Sequence, residues 1–219
     1  MNWKKNWWMV AILAALAVAA AVVLVLGIAT HSEPGFLRVC WRSDGSANYD
    51  CPEGTGRDLV WDRLPIRVQV RAHDGSPGSY RAGLRMVREA AEVWNDQVGM
   101  ELISVIESGP TDAVVVWGAP FDVGASLTED GGWVTHETDH EGRMTARVGV
   151  IHVATIRLAY LVTVHELGHL IGLAHDDFES SPMYGSVRDD TGDDWMGFTR
   201  VTDADRDLLR RTYQSSTTE

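Results

Sequence analysis

Residues 164–176 read VHELGHLIGLAHD, and this stretch restricts the chain's folding more than any other. His165 and His169 are four apart, so on an α-helix they project from one face, one turn apart, where two imidazoles can grip a single Zn²⁺. Glu166 follows the first of them directly and points to the side, toward a metal-bound water rather than the metal. Gly172 can take the positive-φ conformation that ends a helix, and the returning chain then brings His175 to the same ion. Three neutral ligands leave a fourth position open for water, whereas structural zinc sites are normally closed by four protein ligands. A fold that satisfies this stretch must contain a helix over about 155–171 that stops at Gly172. At this chain's His, Glu and Gly frequencies the full H-E-x-x-H-x-x-G-x-x-H pattern arises by chance with a probability on the order of 10⁻⁴.

The N-terminus points to a different environment. Residues 7–29 carry no charge and no strongly polar side chain. As a helix, such a run would span roughly 34 Å, enough to cross a hydrocarbon core of about 30 Å. Trp3, Trp7 and Trp8 stand where an interfacial aromatic belt would be, and Lys4 and Lys5, the only lysines in the chain, precede the run. By the positive-inside rule the N-terminus is expected in the cytoplasm and everything after residue 30 outside it, as a single-pass membrane protein. A cleaved signal peptide is the alternative, with Gly27 and Ala29 small enough for cleavage before Thr30, and it would give a secreted protein. The remaining composition is globular. A net charge of −12 over 219 residues, with no basic patch along the chain, argues against nucleic acid as a partner.

The expected organisation is a cytoplasmic N-terminus at 1–6, a transmembrane signal-anchor at 7–29, an extracytoplasmic stalk at 30–58, a compact domain at 59–213 and a tail at 214–219. Residues 30–58 are rich in turn formers and lack periodicity. They hold both cysteines, Cys40 and Cys51, which in an oxidising compartment read as one small disulfide loop. Within the domain, alternating Ile66, Val68 and Val70 predict a half-buried strand. Tyr80, Leu84, Val87, Ala91, Trp94 and Val98 predict an amphipathic helix with Ser79 as N-cap and Gly99 just past its end. Strands are expected at 100–106 and 112–117, and a strand pair around the polar turn HETDHEGR. The helix of the histidine stretch follows, and then a third over 202–213, where Thr202 and Asp205 resemble a capping box. The fold class is α+β, a twisted mixed sheet of about five strands with two long helices and a C-terminal helix.

The 164–176 pattern resembles the extended motif of the metzincin zinc endopeptidases. The likeness continues to Met183, eight residues past His175 in SPMYG, which is similar to the Met-turn that floors the metal site in that clan. The short spacing and Tyr184 directly after the methionine are most similar to the matrixin branch. Asp176 is instead similar to the adamalysin branch, and Gly185 stands where a proline usually follows the Met-turn tyrosine. The resemblance implies a zincin catalytic domain over about 59–213, one catalytic Zn²⁺ on His165, His169 and His175, and Glu166 as general base. It also makes Met183 an apolar support and Tyr184 a candidate wall of the substrate pocket. Matrixins often carry a second zinc and Ca²⁺ as well. His136, Asp139, His140 and His152 are the only candidates for such a zinc, and polar-turn and strand-surface roles are the plainer reading. Asp189, Asp190, Asp193 and Asp194 would suit Ca²⁺ but have no EF-hand spacing. Cys40 with Asp44 lacks the flanking residues of a cysteine-switch propeptide.

The expected activity is therefore that of a membrane-anchored zinc metalloendopeptidase acting on protein or peptide substrates. Two alternatives stand beside it: a non-catalytic zinc-dependent binding module, and a metallohydrolase acting on something other than protein.

Overall fold

The structure, a computed structural model, describes residues 35–43, 45, 47–49, 51, 56–119, 132–138, 143–151, 156–176, 178, 181–184 and 200–215. The expected N-terminus at 1–6, the anchor at 7–29, residues 216–219 of the expected 214–219 tail, and Asp139, His140, His152, Gly185 and the four aspartates at 189–194 lie outside them, while residues 214 and 215 belong to the C-terminal helix. Among the described residues, no helix is long and apolar enough to cross a membrane.

The centre is a five-stranded sheet in the order β5-β4-β6-β8-β7. Its strands are β4 (Ile66–Ala72), β5 (Ile103–Ile106), β6 (Ala113–Ala119), β7 (Gly132–Thr138) and β8 (Met144–Ile151). β4 pairs parallel with β5 and β6, and β6 parallel with β8. β7 runs antiparallel to β8, from Gly132 opposite Val150 to Thr138 opposite Met144, and forms one edge of the sheet. Val68, Val115 and Val148 are fully buried, as parallel strands covered by helices require.

Helix α1 (Pro77–Val98) begins at Ser76, whose hydroxyl accepts from the Ser79 backbone N–H, and ends at Gly99 with φ +76°. The N-cap is thus Ser76, three residues before the expected Ser79, because Pro77 suits the first helical position and leaves the serine before it to cap. α1 buries Leu84, Val87, Ala91, Trp94 and Val98. Helix α2 (Ile156–Leu170) packs against it, and the Trp94 indole donates to the Val164 carbonyl at 2.9 Å. Helix α3 (Asp203–Ser215) closes the domain, with Thr202 Oγ1 accepting from the Asp205 backbone N–H at 3.1 Å and donating to the Asp205 carboxylate at 2.6 Å.

The 30–58 stretch was expected as a stalk, yet its described part belongs to the compact unit that starts at Pro34. Strands β1 (Arg38–Trp41), β2 (Ala47–Asn48) and β3 (Arg57–Asp58) form a small antiparallel sheet in the order β2-β1-β3. Leu37 donates to the Gly172 carbonyl at 2.7 Å, Ala174 to the Gly35 carbonyl at 2.9 Å, and Leu59 to the Leu37 carbonyl at 2.8 Å. Backbone pairing with distant segments, rather than any local periodicity, orders this strap. The expected disulfide is not formed either: Cys40 and Cys51 are free thiols. Each keeps its hydrogen and donates it to the Asn48 carbonyl, at 3.4 Å and 3.1 Å.

Candidate metal and active site

Helix α2 is apolar nearly all round, and its Val162, Val164, Leu167 and Leu170 are fully buried. It ends in a Schellman motif: Leu173 N–H bonds to the Gly168 carbonyl and Gly172 N–H to the His169 carbonyl, both at 3.0 Å, with Gly172 at φ +100°. The reversal returns the chain past the end of α2, and His175 meets the two helix histidines as the spacing predicts. The three Nε2 atoms lie 3.0–3.1 Å from one another. His165 Nδ1 is 2.7 Å from the Pro182 carbonyl and His169 Nδ1 is 2.8 Å from the Leu173 carbonyl. A carbonyl can only accept, so in each ring Nδ1 carries the hydrogen and Nε2 turns its lone pair to the common centre.

These lone pairs repel unless a cation lies between them, and their spacing suits one. Three nitrogens at about 2.1 Å from a tetrahedral Zn²⁺ stand about 3.4 Å apart, within a few tenths of an ångström of what is seen here. The electrostatics agree. Burial, with the neighbouring His175 charge, pushes His165 down to about 4. Burial and the charges of His165 and His175 hold His169 well below its ordinary value. Both rings are neutral at pH 7, the form that binds metal. Among the described residues, these three histidines are the group able to hold a metal ion.

Met183 is fully buried beneath α2. A Cβ on Gly168, between the two helix histidines, would lie 2.1 Å from the Met183 sulfur and 2.8 Å from the Trp94 ring. The glycine thus lets the thioether reach the underside of the site. The turn carrying it is fixed by the Ser181 hydroxyl, which accepts from Met183 N–H at 3.0 Å, and by Asp176 N–H donating to the Met183 carbonyl at 2.9 Å. Tyr184 follows on the same turn, bridged through its backbone to Asp176.

Glu166 is buried, and its carboxylate faces the start of β7. A Cβ on Gly132 would lie 2.5 Å from Glu166 Oε1 and 2.6 Å from its Cγ, so the side chain at 132 must be a hydrogen. The orientation of β7 follows from its neighbour. Ala146 N–H donates to the Asp112 carbonyl on the β6 side, at 3.0 Å, so the peptide groups of its β7 partner His136 face away from β8. With the alternation of a strand, Gly132, Val134, His136 and Thr138 present their N–H and C=O groups along the outer edge.

His136 does not lie on a strand surface as expected. Its ring is buried, shares a hydrogen bond between Nδ1 and the Tyr49 hydroxyl at 2.8 Å, and tilts against Trp61. Burial pushes it down to about 4. Cys40 is turned to Asn48, not to the histidines. Sequence reasoning missed the Pro182 and Leu173 carbonyls that set the tautomers, and Gly132. The carbonyls left no sequence signal, because any residue supplies one.

A mixed five-stranded sheet, a helix bearing two histidines, a glycine reversal to a third, and a buried methionine turn beneath define a metzincin-type, zinc-dependent metalloprotease. The model of the matrixin peptidase family matches residues 66–214, and the chain belongs to that family. No curated protein matches it.

Proposed function

We propose that the chain is an endopeptidase anchored in a membrane by residues 7–29, with its catalytic domain outside the cytoplasm. The anchor and its orientation rest on the uncharged run preceded by Lys4 and Lys5. The hydrolytic reading is carried by one observation: three imidazoles, two of them tautomer-fixed by backbone carbonyls, converge on a single point, and Glu166, next to the first of them, turns its carboxylate to Gly132 at the start of the edge strand β7.

In this reading His165, His169 and His175 hold Zn²⁺ through Nε2. An ion held there would supply Lewis acidity toward the scissile carbonyl and toward the attacking water. Glu166 takes the proton from that water at its carboxylate and gives it to the departing amine, so one group serves as base and then as acid. The substrate lies extended along the outer edge of β7, exchanging backbone hydrogen bonds with Gly132 and Val134. Met183 holds the three imidazoles from below without binding the metal, and Tyr184 forms part of the pocket wall.

The test is hydrolysis of a broad peptide library by the full chain in detergent. Cleavage should vanish with a chelator and return with Zn²⁺. Zinc binding without cleavage of any peptide would favour the binding-module alternative.

A further inference from the structure

Among the described residues, the outer edge of β7 is paired at its Thr138 end and carries no strand at its Gly132 end. Thr138 N–H, which faces outward, donates to the Gly45 carbonyl at 2.9 Å. The approach is close, since a Cβ on Gly45 would meet the Thr138 carbonyl oxygen at 3.2 Å. Two residues back along the same edge, the Tyr49 hydroxyl reaches His136 Nδ1 at 2.8 Å, with the rings edge to face at 6.3 Å. β2 lies between these two attachments and is held by β1 through Cys40 opposite Asn48 and Trp41 opposite Ala47. The hairpin is fixed in turn to the turn after α2 by the Leu37 to Gly172 bond. The strap residues themselves, Leu37 to Tyr49, lie N-terminal to the family match, which begins at residue 66, while their partners His136, Thr138 and Gly172 lie within it.

We propose that the Gly45–Tyr49 segment is a built-in stop for the substrate strand. It occupies the Thr138 end of the β7 edge and leaves only the Gly132–Thr135 end for an added peptide. This rests on the peptidase reading, in which Glu166 marks the reacting point beside Gly132. From there to Thr135 the edge is three residue steps, about 10 Å at about 3.3 Å per residue. On that side of the scissile bond the protein therefore reads about three substrate residues, and further residues leave the sheet edge unpaired.

The test is a set of quenched fluorogenic peptides extended one residue at a time from either end of the scissile bond. The wild type and Gly45→Val/Tyr49→Ala, which unhitches the stop but leaves the Gly35–Leu37 pairing alone, are compared at equal zinc content. In the wild type, kcat/KM should rise over about three residues on one side and then level. In the double variant it should keep rising on that side, by at least about fivefold over the next two residues, the scale of added backbone hydrogen bonds. The shortest peptides should be cleaved equally by both. If the double variant does not fold, Tyr49→Ala alone is used, with hydrogen exchange at the Thr138 amide reporting release of the strap. A wild-type profile with no plateau on either side, or a plateau unchanged when Thr138 becomes free to exchange, would overturn the stop while leaving the peptidase reading intact. Failure of the wild type to cleave any peptide would overturn both.

Discussion

Gly172→Ala tests whether the helix reversal, rather than the histidines alone, makes the metal site. Two costs can be assigned to it. The first is conformational: at φ +100° an alanine is strained by about 1–2 kcal/mol. The second is contact. The new Cβ would lie 2.2 Å from the Leu59 carbonyl oxygen, so one backbone segment must move by about 1 Å. Neither is free to do so, because Leu59 N–H is held by Leu37 and Leu37 N–H by Gly172 itself. Overpacking against backbone costs about 1–3 kcal/mol, and a lost hydrogen bond about 1 kcal/mol more. The sum, about 3–6 kcal/mol, is a large share of the 5–15 kcal/mol or so by which domains are stable. Gly75→Ala is the control, since Gly75 has φ +66° with nothing within 4 Å of a Cβ, and it should cost about 1 kcal/mol. Thermal unfolding should show the first variant lowered on the order of 10 °C and the second by a few degrees. His175 is three residues beyond the displaced glycine. Competition with a chromophoric chelator should therefore show zinc affinity weakened at least about tenfold in Gly172→Ala and unchanged in Gly75→Ala. Equal behaviour of the two variants would refute the reasoning.

Gly132→Ala should leave zinc content intact while displacing the Glu166 carboxylate, and peptide hydrolysis should fall about 10- to 100-fold; unchanged turnover at full zinc occupancy would contradict the contact. Burial, together with the Asp176 charge and against the Thr202 hydrogen bond, pushes Asp205 up to about 6, above its unfolded value near 3.9. Its neutral form fits the fold, so stability is fully present below about pH 4 and is lost as pH rises through about 6, by about 3 kcal/mol at pH 8. Urea unfolding should show Asp205→Asn gaining on the wild type by about that amount between pH 4 and pH 8, and a constant difference would contradict the assignment. His165 has the opposite sign. Its folded value near 4 lies below the unfolded 6.5, so the zinc-free protein should keep that stability above about pH 6.5 and lose about 3 kcal/mol as pH falls toward 4. Measured in the Asp205→Asn background, which removes the opposing Asp205 titration, chelated protein equally stable at pH 7 and pH 4.5 would rule this out.

What could be read from the sequence was what is local. His165, His169, Gly172 and His175 span one helix and its reversal, so their spacing alone specifies how they meet. The α1 periodicity placed the buried face that carries Trp94, although the cap fell at Ser76, where Pro77 was the overlooked signal. The strap was not legible, because Leu37 bonds to Gly172 and Gly45 to Thr138, partners that only the folded chain brings near. The meaning of Gly132 was hidden for the same reason, since a glycine that yields space to a carboxylate elsewhere in the chain looks like any turn residue. The two cysteines do come together as their spacing suggests, the thiol of Cys51 lying against that of Cys40, but both remain thiols and donate to the one Asn48 carbonyl.

The most direct test of the central claim compares Glu166→Ala with the wild type on one peptide, both loaded to one zinc per chain. Glu166 lies next to a ligand without contributing to the three-histidine group. The variant should therefore bind zinc as the wild type does, while hydrolysis falls by about 10² to 10⁴ or more. Cleavage at the wild-type rate by the zinc-loaded variant would contradict the account.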